Sequence, residues 1–136
     1  MQAALLQACG RARLEIDIVC PYFYPGRVLR RALLQAARRG VRVRLLLQGK
    51  LDYRFAGLAA SVLYDELLSR GMRIYEYTPA FLHAKVALVD DDWATVGSSN
   101  IDPLSLLLNL EANVVVRDAG FAAELRREID AAIAVS

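Results

Sequence analysis

The sequence predicts an α/β fold: one mixed sheet of about six strands flanked by helices, parallel first and antiparallel later. Three observations carry this expectation. Helical and strand periodicities alternate as far as Tyr77. Beyond that point strand patterns follow one another, with an acidic turn between two of them. Finally, 136 residues that are 56% hydrophobic at a formal net charge of +2 can bury a sizeable core, which excludes a disordered chain.

Residues Gln2 to Ala12 read as a short helix with Ala4, Leu5 and Ala8 on one face. Leu14-Glu15-Ile16-Asp17-Ile18 alternates apolar and acidic, the period of a strand with one buried face. Pro21 and Pro25 bracket the aromatic loop Tyr22-Phe23-Tyr24. A helix follows from about Gly26 to Arg39, with Val28, Leu29, Ala32, Leu33 and Ala36 inward and Gly40 as its stop. Val41 to Leu47 is a strand, with Val41, Val43 and Leu45 facing one way and Arg42 and Arg44 the other. A second long helix is expected over Phe55–Arg70, ended by Gly71, and a strand over Met72–Tyr77. Strands at Ala84–Val89 and Trp93–Val96 are separated by the tight turn Asp90-Asp91-Asp92. Asn109–Arg117 is another strand, and Phe121–Ala134 a closing helix.

Charge and composition exclude several classes. A surplus of two positive charges, 17 Lys and Arg against 15 Asp and Glu, is a small footprint for a nucleic-acid binder. The longest uncharged stretch is about ten residues, short of the roughly 18–20 that span a bilayer. Met1-Gln2-Ala3-Ala4-Leu5-Leu6 lacks the basic start of a signal peptide. Cys9 and Cys20 have no metal spacing and form no disulfide framework, so a reducing setting is expected.

The residues that carry chemistry cluster late in the chain. His83 and Lys85 are two apart on a strand, so both side chains leave the same face. An imidazole and an ammonium side by side favour an anionic ligand, and phosphate is the obvious candidate. Ser98 and Asn100 are again two apart, just after Gly97 closes the neighbouring strand. If the acidic turn makes the two strands a hairpin, Gly97 and Ser98 come near His83 and Lys85. Hydroxyl and amide donors then converge on the same spot as the two bases. Such a cluster on an apolar strand breaks the pattern of a good core, which is where sites are expected.

His83-Ala84-Lys85, four residues, Asp90, six residues and Gly97-Ser98-Ser99-Asn100 resembles the HKD motif of the phospholipase D superfamily, H-x-K-x4-D-x6-G-S-x-N. Further stretches resemble the second catalytic half of bacterial cardiolipin synthases: Pro21-Tyr22-Phe23-Tyr24-Pro25, Arg39 to Val43, Trp93 to Val96, and Asn100 to Asn113. The resemblance implies a phospholipase D-like fold with residues 1–136 as one catalytic half-domain, the second half of a two-motif enzyme. It implies His83 as nucleophile or general acid, passing through a covalent phosphohistidine. Lys85 and Asn100 would hold the non-bridging phosphate oxygens with the Ser98 hydroxyl. Glu111 would accept the other ring N–H of His83 and fix its tautomer, while Asp90 would brace the loop rather than touch substrate.

The expected activity is phosphatidyl transfer between phospholipids, with phosphatidylglycerol as substrate and no metal or other cofactor. Partners would be a second half-domain or a second copy, and a membrane contacted peripherally at its cytoplasmic face; nucleic acid is not expected. Leu104, Leu106, Leu107, Leu108 and Leu110 beside the site suit a lipid, and Arg27, Arg30, Arg31, Arg38 and Arg39 could meet an anionic membrane surface. Two alternatives are a single-motif phosphodiesterase or nuclease working as a homodimer, and an inert isolated half-domain. One histidine cannot be both nucleophile and proton donor in the first step, so the chain is expected to hold half of an active site.

Overall fold

The computed structural model describes residues 2–21, 26–48, 65–79, 85–97 and 113–136. Helix α1 (Gln2–Arg11) leads into strand β1 (Glu15–Val19), then α2 (Arg27–Arg38) and β2 (Arg42–Gln48). Residues 65–69 are helical, here α3, and precede β3 (Arg73–Tyr77). The rest is β4 (Val86–Val89), β5 (Trp93–Gly97), β6 (Asn113–Arg117) and α4 (Ala119–Ala134). The six strands form one sheet in the order β3-β2-β1-β4-β5-β6. β1 pairs parallel with β2, and β2 with β3; β1–β4, β4–β5 and β5–β6 are antiparallel. The mixed sheet, parallel then antiparallel, is the one expected. The expected helix over Phe55–Arg70 lies outside the described residues except at its end, where 65–69 are helical.

Helices cover both faces of the sheet. On one side α1 and α2 press Leu5, Ala8, Cys9, Leu29, Leu33 and Ala36 onto Ile16, Ile18, Val43, Leu45, Ala87 and Val89. Leu29 and Leu33 are fully buried, each contributing roughly 1.5–3 kcal/mol relative to exposure. Val28, expected inward, is 62% exposed. It is one residue from Leu29, and neighbours i and i+1 on a helix do not share a face. At the helix end Gly40 takes φ +92, a left-handed turn that glycine adopts at least cost.

On the other side α4 presses Ala122 and Ile129 onto Val19, Leu46, Leu88 and Ala94. Its first turn is capped by Asp118, whose side chain accepts from the Phe121 amide. This helix corrects the reading of β1 as half-buried. β1 is central and covered on both faces, so Asp17 is only 1% exposed and Arg44 7%. The parallel register sets Glu15 against Arg42 and Asp17 against Arg44. Arg44 donates from Nε and Nη2 to the two Asp17 oxygens, both at 2.8 Å, and Nη2 also meets Asp130 at 2.8 Å. Arg126 of α4 reaches Asp17 at 3.2 Å and Glu15 at 2.9 Å; Arg42 pairs with Glu15.

Candidate active site

The hairpin that carries the motif is set by its turn. Val86 faces Val96, Ala87 faces Thr95, Leu88 faces Ala94 and Val89 faces Trp93, so the strands close around Asp90-Asp91-Asp92. Asp90 itself sits at φ 54, a left-handed conformation that Asp and Asn tolerate better than most residues. Its carboxylate Oδ1 accepts from the amides of Arg13, Leu14 and Glu15 at 3.1, 2.8 and 3.2 Å. Its own amide donates to the Glu15 carbonyl at 2.7 Å. Asp90 therefore ties the hairpin turn to the connection between α1 and β1, at the end of the hairpin away from Lys85.

At the open end the Gly97 amide donates to the Lys85 carbonyl at 3.1 Å, and Gly97 pairs in turn with Asn113. Lys85, just before β4, thus lies beside Gly97 of β5, which in turn pairs with Asn113 of β6. Ala87 and Val89 belong to the cluster under α1 and α2, whereas Leu88 packs under α4. Alternation puts the Lys85 side chain, which is half-buried, on the α1–α2 side. His83, Ser98, Asn100 and Glu111 lie outside the described residues. The segments that carry them join the described structure at Lys85, Gly97 and Asn113, which the sheet brings to one corner.

A model of the cardiolipin synthase PLD-like domain matches residues 5–133. The chain belongs to this family. Over 129 residues it is 49% identical to cardiolipin synthase B of Escherichia coli K12, covering 95% of this chain and 31% of that protein. Over 131 residues it is 44% identical to cardiolipin synthase A of Pseudomonas aeruginosa, covering 96% of this chain and 27% of that protein. The PLD-like domain therefore spans about a third of the length of the relatives it matches. Among solved structures it resembles Nuc, a phospholipase D family member from Salmonella typhimurium, with TM-score 0.83 at 21% identity over 98% of this chain and 87% of that one. It also resembles the phosphatidylserine synthase of Haemophilus influenzae, with TM-score 0.74 at 18% identity over 95% of this chain and 34% of that one. At such identities the likeness is one of fold.

Several features of the PLD-like domain were not anticipated from its sequence. The five helical arginines do not form one surface: Arg30 pairs with Glu66 at 3.1 Å, and Arg39 donates to the carbonyls of Cys9 and Ala12 at 3.0 and 3.1 Å. Thr95, on the Lys85 side of the sheet, buries a hydroxyl that has no hydrogen-bond partner among the described residues. A cleft of about 180 Å³ involving Arg11, Asp90, Asp92, Trp93 and Arg117 lies at the turn end of the hairpin, away from Lys85. The Asp17 network does have a signal in the sequence. Aligned in parallel, Glu15-Ile16-Asp17 and Arg42-Val43-Arg44 match charge for charge. Burial opposes ionisation of Asp17, yet the hydrogen bonds and charges of Arg44 and Arg126 outweigh it and hold the carboxyl below the usual carboxylate range. Among the described residues no group of three His, Cys, Asp or Glu could hold a metal ion. No described helix is long and apolar enough to cross a membrane.

Proposed function

We propose that this PLD-like domain supplies one half of a phosphatidyltransferase site that makes cardiolipin from phosphatidylglycerol. The names and identity of its relatives support the reaction. The observation that carries the site is the register of the β4–β5 hairpin, in which the Gly97 amide bonds the Lys85 carbonyl. It sets Lys85 of the H-x-K part beside Gly97 of the G-S-x-N part at one corner of the sheet, which supports the reading.

In this reading the neutral imidazole of His83 attacks phosphorus, forming a P–N bond as the P–O bond to the departing glycerol breaks. The glycerol oxygen takes a proton from an acid in the second half of the site. The hydroxyl of a second lipid, deprotonated by that same group, then attacks phosphorus and breaks the P–N bond. Lys85, Ser98 and Asn100 hold the equatorial oxygens, where charge builds up in the in-line displacement. Glu111 behind His83 raises its basicity and fixes its tautomer. No step calls on a metal.

A chimera tests this directly. The matching 129 residues of E. coli cardiolipin synthase B are replaced by this chain, and phosphatidylglycerol in mixed micelles is followed to cardiolipin and glycerol. The chimera is expected to form cardiolipin without added metal, and His83→Ala to lose at least about a thousandfold, the scale for an activated nucleophile and its base. A folded chimera that makes no cardiolipin refutes the transfer reading, as does a His83→Ala chimera that keeps its rate.

A further inference from the structure

We infer that the outer stripe of α2 is the surface by which this domain sits on an anionic lipid bilayer, with Arg27, Arg31 and Arg38 against the headgroups and Val28 at their flank. The inference rests on the phosphatidyl-transfer reading for its lipid and adds where and how the domain meets it.

α2 carries no acidic residue. Arg30 and Arg39 are held internally by Glu66 and by the end of α1. Arg27, Arg31 and Arg38 remain, all exposed, and none of them makes an ion pair among the described residues. At 3.6 residues per turn they fall within about 40° of one another, along about 16 Å of helix. That is a straight row of charge.

Val28 is the second observation. It is 62% exposed at the first turn of the helix, about 60° round the axis from Arg31, on the flank of the arginine row. A helix face meant only for water gains nothing from a bare valine on the flank of an arginine row. A face that lies in a bilayer interface gains on both counts, since arginine binds headgroups and the apolar side chain enters the acyl boundary. The valine also separates lipid from nucleic acid, whose backbone would reward the arginines but not Val28.

Placement and polarity agree. β1 runs toward the end of the sheet that holds Lys85, because Val19 pairs with Val86. α2 starts from that end, so Arg27 and Val28 stand closest to the motif, on the same side of the sheet as Lys85. The opposite layer is less basic: α4 exposes Glu124, Arg127 and Glu128, while its Arg126 is taken up by Glu15 and Asp17. An anionic surface is drawn to the α2 side more strongly than to the mixed charges of the α4 side. Docked this way, the end of α2 nearest the motif lies at the bilayer that supplies the substrate.

Vesicle flotation of the whole chain provides the test, with vesicles of phosphatidylcholine alone or with added phosphatidylglycerol, and plasmid DNA measured in parallel. Binding is expected only with phosphatidylglycerol. Each arginine near the surface is worth about fivefold in partition, so Arg27→Gln/Arg31→Gln/Arg38→Gln should bind about a hundredfold more weakly. Glutamine and arginine have similar helix propensity, and circular dichroism checks that the variant folds. The control Arg70→Gln/Arg73→Gln/Arg127→Gln, equal in net charge but on other surfaces, should lose less than about threefold. Val28→Ser should weaken vesicle binding severalfold and leave DNA binding unchanged. Equal losses in the two triple variants would overturn the proposal, as would a stripe variant that loses DNA binding but keeps its vesicles. His83→Ala must float like the unaltered chain. A failed chimera with intact flotation therefore refutes only the transfer reading, and failed flotation with an active chimera refutes only the docking surface.

Discussion

Asp17→Asn is the substitution that most directly probes how this sheet is held to its covering helix. The side chain is 1% exposed and nearly isosteric with asparagine, so packing is unchanged and the charge alone is removed. Asp17 accepts two hydrogen bonds from Arg44 at 2.8 Å and one from Arg126 at 3.2 Å. An asparagine amide would present N–H to one of those guanidinium donors. Arg44, whose side chain is 9% exposed, would keep only Asp130 on the α4 side. Leaving a buried charge without its partner costs about 3–5 kcal/mol, a large share of the roughly 7–20 kcal/mol expected for a chain of this length. Urea unfolding followed by circular dichroism at pH 7 measures the loss. Replacing both partners, as in Asp17→Leu/Arg44→Met, should cost less than the sum of the single changes, because the buried Arg44 charge goes with its partner and Arg126 keeps Glu15. The pH profile supplies an independent check. The folded carboxyl titrates below its unfolded value, so its stabilisation is complete above about pH 4 and is lost as pH falls through the folded pKa. Asp17→Asn should flatten that acid limb. A single variant within about 1 kcal/mol of the parent, with the acid limb unchanged, would refute the reasoning.

Two further predictions follow from the same structure. Asp90→Ala removes three amide hydrogen bonds to the α1–β1 connection and places alanine at φ 54. It should destabilise by about 1–3 kcal/mol, and Asp90→Asn by less. The rate per folded chimera should change at most about threefold, against the much larger loss for His83→Ala; a thousandfold loss in stable Asp90→Asn would place Asp90 in the chemistry. Burial, only partly offset by the nearby Arg39 charge, pushes the Cys9 thiol up to about 12, so it should resist thiol reagents at pH 8 until urea unfolds the chain. Because its folded pKa lies above the unfolded value, its contribution falls by about 1.4 kcal/mol per pH unit between about pH 8.5 and 12. Cys9→Ala should soften that alkaline limb, and prompt labelling of Cys9 in the folded chain would contradict its burial.

Periodicity and spacing alone went far here. The alternation of Leu29, Leu33 and Ala36 with arginines marks a helix with one buried side. The period of two in β1 and at the start of β2 marks strands, and Asp90-Asp91-Asp92 marks the turn that fixes the β4–β5 register. These are local signals, carried by residues a few positions apart. The hairpin was legible for the same reason, since the acidic turn makes β4 and β5 antiparallel neighbours and so brings Lys85 and Gly97 together. Tertiary structure decided which faces meet water. The acidic side of β1 looked solvent-facing, yet α4 arrives from 109 residues away to place Arg126 on Asp17, and no local pattern reports so distant a cover. Likewise five arginines on one helix looked alike. Only the positions of Glu66 and the end of α1 separate Arg30 and Arg39, which hold the fold, from Arg27, Arg31 and Arg38, which remain exposed. Sequence sets the period of each element, and the neighbours folded against it determine whether a charge is a tie or a surface.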